Sequence, residues 1–411
     1  MWRNKTVYIY FLTYFFNAAV SFGGVALITH YLDAPDYGII NLYSGIIILL
    51  MPFISGGTLY PMSVAYFKNP ADQFSQFFTH SQVIPVISLS FFTLICLLFQ
   101  GPISSYLGVA PEWVWILPLT TWLVMLNEII MMMARNRNQA IQFAIFSAGK
   151  NLLEISLTVL FVIGLRQGLE GRLASAAIAP AFFAIFSVYI FFRWKLIRSG
   201  IDWKQVRNIL LLSLPFVFER LALFVLGNSD RYFINEYDPL QKTGVGYYGL
   251  GSQLATTINL VILSMTSAYH PYLFKRLAEG FKGAIHRSTV YFIIACAVAV
   301  GGLFIATPFV FSWFISPEYQ PAQKFVYLLS TGYFMWGVYN AMLGYLLYTE
   351  KNRQIFYISL IGMIASITLN FLIVPRLGAF GAAITSIITY SIMALTCFLF
   401  VRKYFLKKAT I

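Results

Sequence analysis

The chain reads as a succession of apolar runs separated by short polar ones. Runs long enough to cross a bilayer, about 20 residues, fall at roughly 7–31, 38–66, 77–99, 112–134, 139–165 and 171–193. Six more follow at roughly 209–234, 244–274, 288–314, 322–349, 354–374 and 379–401. Each predicts a helix, because a lone segment in hydrocarbon must satisfy its backbone hydrogen bonds internally. The connections are short and leave no room for an inserted soluble domain. The pattern predicts an all-α polytopic membrane protein of about 12 transmembrane helices.

Composition removes the alternatives. Of 411 residues, 59% are hydrophobic and only 10% charged, against about 25% charged in soluble domains. The net charge of +13 does not point to nucleic acid, because the basic residues cluster at the ends of apolar runs. Arg402, Lys403, Lys407 and Lys408 are one such cluster, suited to an anionic lipid surface. With both termini placed in the cytoplasm, inner segments hold 20 of the 28 Lys and Arg and outer segments hold six, namely Arg166, Arg172, Arg231, Lys242, Lys324 and Arg376. The positive-inside rule therefore orients both ends inward. The first run, Val7 to about Thr29, is too long for a signal-peptide core and reads as a retained span.

The two halves repeat. Phe161-x-Ile163-x-x-Arg166-x-Gly168-x-x-Gly171 recurs as Phe371-x-Ile373-x-x-Arg376-x-Gly378-x-x-Gly381, and Pro61/Pro271 and Pro111/Pro321 share the same offset of 210. Six spans per half is an even number, so the halves run in the same direction, a parallel repeat of the kind found in transporters. The expected domains are a six-helix lobe over 1–200 and another over 201–411. The basic linker at 194–208, with Trp194 and Trp203, is expected along the inner interface.

Charges inside spans are the candidate chemistry, since each costs about 2.5–3.5 kcal/mol near the bilayer centre. They are Glu128 in span 4, Lys150 and Glu154 in span 5, Glu219 and Arg220 in span 7, and Asp230 and Arg231 at that span's outer end. Lys150 and Glu154, four apart, are expected to pair along one face. On a continuous helix Glu219 falls three turns from Asp230, and Arg220 three turns from Arg231. The expected substrate-binding residues are Arg220, Lys150 and Arg231. The expected ion-coupling residues are Glu219, Asp230, Glu128 and Glu154, with Glu219 or Asp230 the favoured proton carrier.

Other motifs carry less. Gly244-x-Gly246-x-x-Gly249 lacks the preceding strand of a dinucleotide site, and no Walker loop is present. His30, His80, His270 and His286 sit singly near span ends without metal-ligand spacing, and Cys96, Cys296 and Cys397 lie in apolar runs as buried small residues. No metal or cofactor is expected.

Three patches resemble bacterial polysaccharide-unit (O-antigen, Wzx-type) flippases, of the superfamily that also holds multidrug and toxic compound extruders. They are Leu214-Pro215 with Asp230-Arg231-x-x-Ile234 and Val245-Gly246-x-Tyr248; Asn370-x-x-x-x-Pro375-x-x-Gly378-x-x-Gly381-Ala382-Ala383; and Tyr37-Gly38 with Pro61. The resemblance implies a bacterial inner-membrane carrier whose cargo is an oligosaccharide linked through pyrophosphate to undecaprenol, flipped by alternating access. It also implies membrane lipids, a polysaccharide polymerase and a chain-length regulator as partners. Arg220 and Lys150 would face the pyrophosphate. Lipid II flippases look to arginines in their first spans, whereas here no charge lies between Val7 and Tyr31 or between Gly38 and Tyr66; that cargo is disfavoured. The alternatives are a multidrug extruder of the same superfamily and, from another class, a membrane-bound O-antigen polymerase or ligase. The short outer loops argue against the enzyme.

Overall fold

A computed structural model describes residues 2–279 and 287–406. Lys282, His286, Lys407 and Lys408 lie outside the described residues. Within them the chain is helical, with no strand. The helices are α1 (Trp2–Ile28), α2 (Ala34–Ser55), α3 (Leu59–Lys68), α4 (Ala71–Leu98), α5 (Gln100–Leu107), α6 (Pro111–Asn136) and α7 (Ala140–Thr158). They continue with α8 (Gly168–Arg193), α9 (Trp203–Asn228), α10 (Asp230–Tyr237), α11 (Lys242–Ala278), α12 (Arg287–Phe314), α13 (Gln323–Tyr348) and α14 (Asn352–Leu406). A π-helical turn, Val159–Gly164, extends α7, and a 3-10 turn, Pro317–Ala322, precedes α13.

Nine helices among the described residues are long and apolar enough to cross a membrane. One of them, α14, is two helices joined at Gly378, whose φ of 55° and ψ of −141° are non-helical. Two further helices, α11 and α13, are 37 and 26 residues long but fall short of the hydropathy of those nine. Helices enclosed by neighbours need less apolar surface than those facing lipid, and α13 packs against α11, α12 and α14. These two complete the expected twelve. The chain is a multi-pass membrane protein.

Packing divides the chain into two units. The first comprises Met1–Leu32 and Ile39–Phe224, the second Asp33–Gly38 and Val225–Ile411. The division after Phe224 falls within α9, downstream of 200/201. In the first unit α6 is central, touching α3, α4, α5, α7 and α8 and burying Met125, Ile129, Ile130 and Met133. In the second, α13 holds the equivalent place, and its core includes Ile262, Leu273, Cys296, Tyr345 and Met393. Subtracting 210 from the bounds of α13 gives 113–138, nearly those of α6. Gly168 and Gly378, partners at the same offset, both have φ of +55°. All three cysteines are free and buried.

The repeat also shows where the halves diverge. The expected span at 38–66 is broken into α2 and α3 by Gly56 and Gly57, with φ of +57° and +71°. Its counterpart α11 runs unbroken through Thr266 and Ser267, at the matching positions. A Cβ on Gly57 would meet the Ser213 carbonyl oxygen at 2.4 Å, so glycine serves both the turn and the close approach.

The linker is tied down within the first unit. His80 is 5% exposed; its Nε2 accepts the Asp202 N–H at 2.9 Å, and its Nδ1 donates to the Gln76 carbonyl at 2.6 Å. The Thr79 hydroxyl donates to the Leu196 carbonyl and accepts the Arg198 N–H, and Arg198 pairs with Asp72. Arg137 stacks over Trp194, 4.1 Å from its ring centroid. Hence 194–202 clasps the start of α4, and His80 is a buried strut. The apolar exposed side chains Ile197, Ile201 and Trp203 are interspersed with the exposed Lys195, Arg198 and Lys204, as suits an interfacial segment.

Candidate functional site

The second unit is built around a buried acid. Asp230 opens α10, directly after Ser229, whose φ of −64° and ψ of −30° keep the backbone helical, and is 4% exposed. Three side chains converge on its carboxylate. Tyr248 Oη from α11 donates to Oδ2 at 2.5 Å, Ser386 Oγ donates to the same oxygen at 2.9 Å, and Asn370 Nδ2 donates to Oδ1 at 2.7 Å. A buried charge is tolerated only with such partners.

The hairpin of α14 explains two of them. Asn370 lies eight residues before Gly378 and Ser386 eight after it, so the reversal at the glycine brings both to one level. The hairpin is itself pinned by Asp238, whose Oδ2 accepts the Ala379 N–H at 2.5 Å and whose Oδ1 accepts the Leu240 N–H at 2.7 Å. A Cβ on Gly378 would overlap that carboxylate at 2.2 Å. Arg231, next in sequence and half-buried, donates from Nη1 to Asn228 Oδ1 at 2.8 Å. Its Nε is buried without a hydrogen-bond partner among the described residues.

The other expected charges have different settings. Glu219 and Arg220 are both exposed on α9, so Glu219 does not share the buried environment of Asp230. Glu128 and Lys150 are half-buried and make no ion pair among the described residues. Glu154 does not turn to Lys150. It pairs with Arg172 of α8 at 2.9 Å, and that arginine also donates to Ser175 Oγ, which meets Thr158 Oγ1 at 2.8 Å. The sequence spacing put Lys150 on the right face but could not weigh a guanidinium arriving from the next span.

Tyr248 and Asn370 lay within the motif patches without an assigned role, and Ser386 and Arg172 were missed. Counting outward from Gly378 would have found Ser386. The remaining patch also has a purpose inside the second unit. Residues 33–38 press onto the start of α11 so closely that a Cβ on Gly38 would lie 1.9 Å from the Lys242 carbonyl oxygen, and one on Gly246 2.1 Å from that of Ala34. Tyr37 Oη donates to Gln253 Oε1 at 2.6 Å, and the Ala34 N–H donates to Glu318 Oε1 at 2.9 Å. Tyr319 stands edge-on to Tyr37, and burial pushes its phenol well above the usual range. Gly244, Gly246 and Gly38 are thus close-packing residues.

A family described as "Polysaccharide biosynthesis protein" matches residues 3–276. Among curated relatives, "Lsg locus putative protein 1" of Haemophilus influenzae is 23% identical over 228 residues, covering 52% of this chain and 56% of its own length. A "probable multidrug resistance protein NorM" of Bacillus anthracis is 22% identical over 199 residues, 46% of this chain and 43% of its own. These alignments span about half the length of such relatives. Among solved structures, the lipid II flippase MurJ in an inward closed conformation superposes with a TM-score of 0.74 at 15% identity, covering 97% of this chain and 89% of that one. An inward-facing multidrug resistance MATE family transporter of the MOP superfamily also gives 0.74, at 14% identity and 96% coverage of both. The fold is therefore that two-lobed one.

Proposed function

We propose that this chain, which belongs to the polysaccharide biosynthesis protein family, moves a lipid-linked oligosaccharide from the cytoplasmic to the outer leaflet of a bacterial inner membrane. The family match across 3–276 carries the reading. In it the two lobes expose the cargo alternately to either side, with both termini cytoplasmic. The cargo is an oligosaccharide joined through pyrophosphate to a polyprenol such as undecaprenol, as in O-antigen assembly. A polymerase and a chain-length regulator are its downstream partners.

The roles follow from charge and setting. Arg231, Arg220 and Lys150 supply cations for the pyrophosphate, and a guanidinium suits its bidentate geometry. Asp230 is the coupling acid. A proton taken up there removes a buried charge and weakens the charge-assisted hydrogen bonds from Tyr248, Ser386 and Asn370, so protonation and local bonding change together. Glu154, held by Arg172, is a less suitable carrier, and Glu219 and Glu128 are secondary ones. With no nucleotide motif, the energy comes from the proton gradient, about 2.3 kcal/mol per charge per 100 mV.

The test combines cells and vesicles. In a deletion strain the wild-type gene restores surface glycan, and Asp230→Asn, present at equal level in the membrane, does not. In proteoliposomes an imposed pH gradient accelerates wild-type flux of the lipid-linked glycan and leaves the Asn variant's flux unchanged. Wild-type flux that ignores the gradient refutes the coupling. The multidrug reading is favoured by the Bacillus anthracis relative; drug flux with normal surface glycan in the deletion strain would establish it instead.

A further inference from the structure

We propose that Trp336, Tyr333 and Tyr390 form a stacking platform for a sugar ring of the cargo, with Arg231 and Asn259 presenting polar groups to its hydroxyls. The proposal rests on the transport reading above and names the part of the cargo this surface takes.

The three rings form one group within the second unit. Tyr333 and Tyr390 lie stacked with centroids 6.3 Å apart and an interplanar angle of 28°, and Trp336 meets Tyr390 at 5.4 Å. Tyr333 and Trp336 stand one turn apart on α13, and Tyr390 comes from the second arm of α14. Their backs lean on the apolar core of the unit, yet all three remain partly exposed. Hydrogen bonds fix their orientation: Tyr390 Oη donates to the Leu226 carbonyl at 3.3 Å, and Tyr333 Oη meets Thr256 Oγ1 at 3.1 Å. A rigid ring surface costs little ordering entropy on binding.

The surroundings separate this surface from one facing lipid. Ser386, which donates to Asp230, stands one turn before Tyr390 on α14, so the rings border the polar cluster. Charged groups at such depth line wet cavities or protein interior. Arg231 Nε and Asn259 Oδ1 are buried without hydrogen-bond partners among the described residues. Asn259 follows Thr256 by three positions on α11, hence on the same helix face. One is an uncommitted donor and the other an uncommitted acceptor. A sugar hydroxyl both donates and accepts, and a pyranose presents C–H groups on one face to an aromatic ring with its hydroxyls at the rim. An acyl chain would use the rings and leave the two polar atoms unsatisfied. A planar aromatic cation would also use the rings but would meet Arg231 with like charge.

The experiment measures flux in proteoliposomes of three probes: a polyprenyl pyrophosphate bearing a tetrasaccharide, the same lipid without sugar, and ethidium. Wild type is compared with Trp336→Ala, Trp336→Phe and Tyr390→Ala. Losing a stacking partner should lower flux of the glycosylated lipid about tenfold, leave the sugar-free lipid unchanged, and be largely reversed in Trp336→Phe. The proposal is overturned if Trp336→Ala and Tyr390→Ala carry the glycosylated lipid at the wild-type rate, if both lipids fall together, or if ethidium flux alone falls. A wild type that moves neither lipid sinks the transport reading and this proposal with it. A wild type that moves both while the alanine variants match it sinks only the platform.

Discussion

Glu154 illustrates how the fate of a charged residue is decided by what the fold brings to it. Its partner is Arg172, and both side chains are about one-fifth exposed, at 22% and 18%. Breaking a pair this enclosed leaves a carboxylate among apolar neighbours. A double-mutant cycle on Glu154→Gln and Arg172→Gln should give a coupling of about 1–2 kcal/mol in thermal unfolding in detergent, whereas a cycle on Glu154→Gln and Lys150→Gln should give about zero. Equal couplings would contradict the geometry. Sequence spacing is an accurate guide to helix faces and says nothing about a neighbouring span, which is why Lys150 was expected and Arg172 was not. The same limit applied at Asp230: the acid stood out because it was a charge in an apolar run, but its neutral donors, Tyr248, Asn370 and Ser386, carry no such signal.

At the scale of elements, breaks were harder to read than helices. Apolar length located α4, α6, α8 and α12 well, because burial in lipid imposes the same demand on each. The joint at Gly56–Gly57 sits inside an apolar run and left no polar trace. The linker was legible as interfacial from its tryptophans and basic residues. Its fastening was not, since a single histidine near a span end commonly has no buried role. His80→Leu removes the acceptor for the Asp202 N–H and should cost about 1–3 kcal/mol. Limited trypsin digestion of inverted membrane vesicles should then cut after Lys195 or Arg198 several-fold faster than in wild type, as expected when a strap loses its tie. Unchanged cleavage would show that Thr79 and Asp72 hold the segment unaided.

For the whole molecule, alternation of polar and apolar segments was enough to reach the two-lobed helical fold. The twelve spans and the 210-residue repeat needed no information about contacts. What the pattern could not supply was the docking of residues 33–38 in the second unit, a matter of backbone approaching backbone at Gly38 and Gly246. Orientation can be tested directly. Single cysteines at Lys68 and Lys403, in a variant lacking the three native thiols, should resist an impermeant maleimide applied to intact cells, while those at Asp36 and Glu318 should react. Labelling at position 403 from outside would invert or break the proposed topology.

Gene doubling hands two copies the same instructions, and each later difference between them records unequal use. Segments 34–68 and 244–278 hold matching places at the 210-residue offset, yet the first is jointed at Gly56–Gly57 while the second continues as one helix through Thr266 and Ser267. A pair of identical subunits cannot divide labour in this way, because any change in one appears in both. Fusion into a single chain lifts that restriction and lets selection keep one arm articulated and the other stiff.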